Sequence, residues 1–330
     1  TVNDDFDTVS AFAVKDGKFI DVGNNEILSK YKTEEKIDLN GSTVLPGLID
    51  AHCHFYGLGL NQSVIDLTGT NSFNEILEKI SKTDSKNIIR GRGWDQNDWE
   101  VKEFPNKTKL DLLYPEIPVV LERIDGHAYL VNQKALDIAG IDINTKSNNG
   151  TVLTKKGRLT GVLIDGPMSL IDKAFGEVSL DDKINALLSA QEICFKHGLT
   201  TVDDAGLSKD VILLIDSLQK RKSLKMRVYA MISNLENDVN YFIENGPIKT
   251  NSLNVRSVKV YGDGALGSRG ATLKEPYSDD IHNYGKLVTD VESIKILAKK
   301  LSEANFQMNT HAIGDSTVNI LIKAYSKVLE

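Results

Sequence analysis

Few of the residues that mark special protein classes are abundant in this chain. Cysteine occurs 2 times in 330 residues, as Cys53 and Cys194. Two thiols so far apart do not make a disulfide framework, and they fit a reducing compartment. No continuous apolar run reaches the roughly 20 residues of a transmembrane helix, so no membrane partner is expected. Positive charge is not in excess: 39 Lys and Arg against 46 Asp and Glu leave a net charge of −7. That balance argues against a nucleic-acid or anionic-membrane surface. There is no low-complexity tract, no obvious internal repeat and no signal peptide, so a cytoplasmic location is expected. The chain starts at Thr1 rather than Met, which leaves room for a leader already removed. What remains is ordinary globular material, 41% hydrophobic and 26% charged. The length suits one large domain and one small one.

Residues 1–47 read as a small, partial β-domain. Apolar runs at 10–14 and 19–23 flank Asp16-Gly17, a hairpin signal. Two further short strands are expected at 36–39 and 43–46, and Pro46-Gly47 opens the next unit. From 48 to 330, strand and helix patterns alternate. Strands are expected at 48–51, 199–202, 226–232, 255–261 and 306–310, with helices at 184–196, 210–221 and 291–304. Alternation of this kind implies a parallel sheet with right-handed crossovers. Several strands end in ligand-type residues: His52 and His54, Asp203 and Asp204, Lys259, His311. Chemistry at C-terminal strand ends favours a (β/α)8 TIM barrel over an open sheet. The fold class is therefore α/β, a TIM barrel with a small N-terminal β-domain. Only five barrel strands can be counted against eight, so the barrel is expected to be incomplete, its C-terminal part lying outside this chain. Residues 55–180 interrupt the alternation, with both tryptophans, many glycines and a loop around 147–150. They read as an insertion over the barrel mouth.

The chemistry starts at Leu45-Pro46-Gly47-Leu48-Ile49-Asp50-Ala51-His52-Cys53-His54. Residues two apart on a strand share a face, so His52 and His54 project together as half of a first-row metal site. Cys53 points the other way, into buried structure. Lys259 stands inside an apolar strand, where an ammonium is costly unless neutralised or modified. Beside divalent ions it could take up carbon dioxide as a carbamate and act as a ligand; otherwise it reaches solvent or pairs with Asp263. His311 ends the last strand and is a third imidazole in ligand position.

The succession of the His52-containing segment, Lys259 through Asp263-Gly264, and His311-Ala312-Ile313-Gly314-Asp315 resembles the amidohydrolase superfamily. More narrowly it resembles the YtcJ-like branch, amidohydrolase family 3, with the N-substituted formamide deformylases. Gly91-Arg92-Gly93-Trp94-Asp95-Gln96-Asn97-Asp98-Trp99, Arg123-Ile124-Asp125-Gly126-His127-Ala128, Gly262 through Gly270 and Glu275-Pro276-Tyr277-Ser278-Asp279 add to the match. The resemblance implies a metal-dependent hydrolase of non-peptide carbon–nitrogen bonds. Its cofactor would be one or two divalent ions, zinc foremost, held by His52, His54, Lys259 (as a carbamate) and His311. The superfamily pattern also expects a sixth-strand histidine and an eighth-strand aspartate as general base. Neither is present, so the catalytic base is expected in the part of the barrel outside the chain. Ester or cyclic-amide hydrolysis on the same scaffold, or non-catalytic metal binding, remain as alternatives.

Substrate contacts are expected from the insertion. His127 and Arg123 beside a metal site would hold a substrate carbonyl or oxyanion; the other reading is an Arg123–Asp125 surface pair with a turn at Gly126. Trp94 and Trp99 either line a pocket for an apolar group or pack the insertion onto the barrel. Asp203 and Asp204 either support ligand histidines or cap a helix. Gly264, Gly267 and Gly270 lack the Gly-Lys-Ser/Thr that would make a phosphate loop. The expected partner is a small molecule, with a homodimer compatible.

Overall fold

The structure is a computed structural model that describes residues 1–329 except Val2, Lys86, Asn148 and Glu177. The expected loop at 147–150 includes Asn148, and the barrel boundary at 330 falls on Glu330; both residues lie outside the described ones. The chain divides into two compact units, Thr1–Leu48 and Ile49–Glu330.

In the first unit, strands Ala11–Lys15 and Lys18–Gly23 pair antiparallel. The turn residues Asp16 and Gly17 have φ of 51° and 72°, the two positive angles a type I′ turn requires. Phe12 and Phe19 pack edge to face across the hairpin, with centroids 5.3 Å apart. The strands expected at 36–39 and 43–46 do not form. Their apolar residues are largely exposed and their backbones join no ladder; an extended run without a hydrogen-bonding neighbour is not a strand.

In the second unit, strands Leu48–Cys53, Leu199–Leu207, Arg227–Ser233, Leu253–Tyr261 and Gln307–His311 lie side by side in chain order. Three of the pairings are parallel, from the second strand to the fifth. This is the first five-strand run of a barrel, curled but open. Helices Leu180–Lys196, Lys209–Lys220, Glu236–Asn245 and Val291–Glu303 cover its outer face. Val202, Val228, Ile232, Val258 and Val260 bury their side chains there against Leu187, Ile212, Ile215, Phe242 and Leu301. Between the first and second strands a short helix, Phe55–Leu60, lies hard against Leu180–Lys196. A Cβ on Gly59 would come within 1.9 Å of the Ala186 carbonyl oxygen, so only glycine fits there. No described helix is long and apolar enough to cross a membrane.

The insertion is more ordered than its sequence suggests. It holds a second sheet of six strands, in the order Ile65–Asp66, Ile89–Trp94, Val119–Arg123, Ala128–Val131, Arg158–Asp165, Gly150–Lys155. One face buries Leu67, Ile76, Ile89, Trp94, Leu121, Leu130 and Val162. The other buries Val120, Val131, Leu136, Leu163 and Ile171. A sheet covered on both faces shows no polar–apolar alternation, and Arg90-Gly91-Arg92-Gly93 lies within a strand although it carries no strand pattern.

Candidate metal centre

His52 lies on the first barrel strand, and His54 follows it as the N-cap of helix Phe55–Leu60. Their rings stand 6.1 Å apart. That helix is capped from the next strand: Asp204 accepts the Tyr56 backbone N–H at 2.9 Å. Asp204 is therefore a cap, though of a helix 148 residues away in sequence. It is 2% exposed, and burial pushes its carboxyl up to about 7 despite the Tyr56 and Phe55 amides. A pKa raised on folding means the folded state holds the proton more tightly. Stability is then present below the unfolded carboxylate pKa and is lost as pH rises towards 7. Urea unfolding of wild type and Asp204→Asn between pH 4 and 8 should show wild type losing up to about 1.4 kcal/mol per pH unit relative to the variant. Parallel profiles would show that Asp204 does not titrate in this range.

Lys259 is 3% exposed. Its Nζ lies 3.5 Å from His52 Nε2 and 5.3 Å over the Tyr261 ring. The alternative pairing with Asp263 does not occur. Asp263 instead accepts from the backbone of Thr272, Ile313 and Gly314 and from the Thr317 hydroxyl. Burial holds the Lys259 amine below the usual lysine range. His311 pairs in register with Tyr261 and places its Nε2 3.2 Å from the Gly264 carbonyl. Donation there leaves Nδ1 as the free ligand atom of the neutral ring. Burial lowers its pKa, with His127 and Lys259 nearby reinforcing the shift.

His127 meets this group from the insertion. Its ring is 5.0 Å from that of His311 and 6.3 Å from that of Tyr261, which is itself 5.7 Å from His311. His127 Nδ1 is 2.7 Å from Asp165 Oδ1. Burial alone would lower its pKa, but the Asp165 hydrogen bond and charge raise it. Donors thus run from His54 and His52 through Lys259 and Tyr261 to His311 and His127. Among the described residues no three His, Cys, Asp or Glu side chains close on one point; Lys259 stands beside His52, on the strand paired with that of His311. Two strand-borne imidazoles beside a buried amine that lacks a carboxylate partner make a donor set that fits a divalent first-row ion.

Two expected substrate residues are corrected. Arg123 is 1% exposed, and its guanidinium is held by Asp95, Asp125 and the Gln96 Oε1. The Arg123–Asp125 pair and the turn at Gly126 both form, but the pair is buried rather than on the surface, and the guanidinium is already engaged on every side that a substrate would use. It locks the insertion, and Gln96 extends that lock to the barrel by donating to the Gly267 carbonyl at 3.2 Å. Trp94 is fully buried, donates to the Leu121 carbonyl at 2.9 Å and packs on Trp99 and Phe104. Cys53 packs into the core, and burial pushes its thiol up to about 12. Asp165 and Tyr261 went unnoticed in the sequence. Tyr261 had a signal, since it stands two residues beyond Lys259 on the same strand. Asp165 has only the Asp-Gly-Pro that ends its strand.

A family model described as the amidohydrolase family matches residues 35–330. The protein YtcJ of Bacillus subtilis is 34% identical, over 99% of this chain and 64% of its own. Protein LONG AFTER FAR-RED 3 of Arabidopsis thaliana is 30% identical, over 96% of this chain and 58% of its own. The crystal structure of an uncharacterized metal-dependent hydrolase from Pyrococcus horikoshii superposes with a TM-score of 0.69 at 25% identity, covering 97% of this chain and 64% of that one. This chain spans under two thirds of the length of each of them. The fold, the strand-end donors and the family match agree: the chain belongs to the amidohydrolase family, in its YtcJ-like branch.

Proposed function

We propose that this chain carries the metal-holding part of a hydrolase that cleaves a non-peptide carbon–nitrogen bond with water as nucleophile. The observation that carries it is Lys259, a buried lysine on a barrel strand whose Nζ faces His52 Nε2 at 3.5 Å rather than a carboxylate. His52, His54, Lys259 and His311 would hold one or two ions, zinc first among them. When bound, such an ion polarises the scissile carbonyl and acidifies water. Lys259 would enter as a carbamate: its neutral amine adds to carbon dioxide, one C–N bond forms and one proton leaves. His127 would hold the carbonyl oxygen or the charge that develops on it.

The purified full-length gene product, offered open-chain N-substituted amides such as N-benzylformamide beside lactams and esters, should turn over the open-chain amides first. Preference for lactams or esters would move the site to the cyclic-amide or ester reading. The carbamate has its own test. Metal-free protein reloaded with zinc in bicarbonate should bind more ion than in carbon-dioxide-free buffer, and Lys259→Ala should be indifferent. Indifference in wild type would leave Lys259 an unmodified amine.

A further inference from the structure

The insertion reaches the site through one residue pair, and its construction is specific. Strands Ala128–Val131 and Arg158–Asp165 run antiparallel. Just beyond their last register pair, the Asp165 N–H donates to the His127 carbonyl at 3.1 Å. The side chains join as well, His127 Nδ1 to Asp165 Oδ1 at 2.7 Å. Asp165 makes this second contact from the left-handed region, φ 56°, which a non-glycine residue keeps only where its surroundings over-determine it. Its side chain is 7% exposed.

The surroundings are two glycines of the loop that follows Tyr261. A Cβ on Gly264 would lie 2.5 Å from Asp165 Oδ2, and one on Gly270 would lie 2.6 Å from the same atom. Neither glycine has a positive φ, so the missing side chain is needed for space and not for backbone freedom. Gly264 also faces the other way: its carbonyl takes the His311 Nε2 at 3.2 Å. One glycine therefore touches the partner of His127 and the partner of the barrel.

We propose that Asp165 is a positioning residue, seated in a Gly264–Gly270 socket, that takes the Nδ1 proton of His127 and thereby makes the insertion a working part of the site. With Nδ1 committed, the free ring nitrogen of His127 is Nε2, fixed against His311 and Tyr261. A histidine's second nitrogen is set by the bond its first one makes. His127 is held in register by a strand pair and aimed by a carboxylate, and the carboxylate is located by the loop beyond the Lys259 strand. At the site, the barrel and the insertion thus set each other's geometry through the His127 ring. Only the activity arm of the test below rests on the hydrolytic reading.

The test is long-range 1H–15N spectroscopy on histidine-labelled protein, with His127 assigned by its loss in His127→Gln. Wild type should show a solvent-protected Nδ1 proton on His127. Asp165→Ala should lose the protection. Asp165→Asn, which keeps an acceptor oxygen and tolerates the backbone angle, should retain it. Gly264→Ala, which fills the socket and crowds the Asp165 carboxylate while leaving both residues of the pair unsubstituted, should weaken it. An unprotected or unprotonated Nδ1 in wild type overturns the proposal without any variant, as does protection that survives in Asp165→Ala or is unmoved in Gly264→Ala. With N-benzylformamide as probe, Asp165→Ala should cost about 10- to 100-fold in kcat, and adding His127→Gln should cost little more. Additive losses would overturn the proposal. If wild type does not turn over this probe, the hydrolytic reading is what fails, and the spectrum still decides the role of Asp165.

Discussion

Metal content should fall to near zero in Lys259→Met and to half or less of the wild-type value in His52→Ala, measured by elemental analysis of protein purified in zinc-supplemented medium. The asymmetry follows from position. Lys259 Nζ lies 3.5 Å from His52 Nε2, on the strand that pairs with the one ending in His311, and no three His, Cys, Asp or Glu among the described residues form a cluster by themselves. In the proposed site, removing it takes away the donor between the two strand ends. His52 is one of two donors on its strand end, so His54 and Lys259 remain after its loss. Methionine is the informative replacement because it fills a similar buried volume with an apolar, unbranched chain. It removes a buried amine that costs free energy when charged, so this variant should melt at or above wild type. Full metal retention in a folded Lys259→Met protein would place the ion elsewhere and end the ligand assignment.

Arg123→Ala should be strongly destabilising, by about 3–5 kcal/mol, because removing one partner of a buried ion group strands the other. Here two carboxylates are stranded, Asp95 and Asp125, together with the Gln96 carbonyl oxygen. The same group spans three segments of chain, the end of one strand, the turn after the next and the loop that presents Gly267. Urea unfolding should show the loss as a lower midpoint. Replacing Asp95 and Asp125 by asparagine in the Arg123→Met background should recover much of it, since an ion group exchanged whole for neutral residues is often near neutral in stability. If Arg123 contacts substrate instead, Arg123→Ala will keep its unfolding midpoint and raise KM.

The barrel strands were legible because each is apolar, bounded and punctuated by a polar residue at its end; Leu199–Leu207 and Leu253–Tyr261 show this well. His52, His54, Lys259 and His311 stand out in the sequence for the same reason, as polar groups where apolar ones belong. The insertion was not. Ile89–Trp94 carries alternate glycines and arginines, and its partners are short and covered on both sides, so period and composition both pointed to loop. For Arg123 and Trp94 the sequence leaves two readings each, and the structure takes the packing one for Trp94 and a buried form of the Asp125 pair for Arg123. A guanidinium and an indole are as useful at the centre of a fold as in a pocket, and only their neighbours distinguish the two. Arg123 has Asp95 and Asp125 within two residues or one strand of it, but Asp95 is 28 positions away, too far for local pattern to pair them. Asp165 was hidden because its value lies wholly in contacts with Gly264, Gly270 and His127, none of them near it in sequence.

The order of the barrel strands has a consequence for how the protein is made. Each strand after the second can dock on one already synthesised nearby, but the first cannot. Its neighbour begins at Leu199, and Lys259 is 207 residues beyond His52. At about 5–20 residues per second, roughly 10–40 s separate the appearance of the two on the ribosome. During that interval the insertion, with its own two cores, can fold alone, while the histidine strand waits unpaired with both imidazoles exposed. The nascent chain therefore offers a two-histidine site to whatever ion is free in its surroundings well before the lysine that completes the site exists. If the proposed site is the metal site, the ion first captured would follow metal supply at the ribosome, and its retention would wait for Lys259.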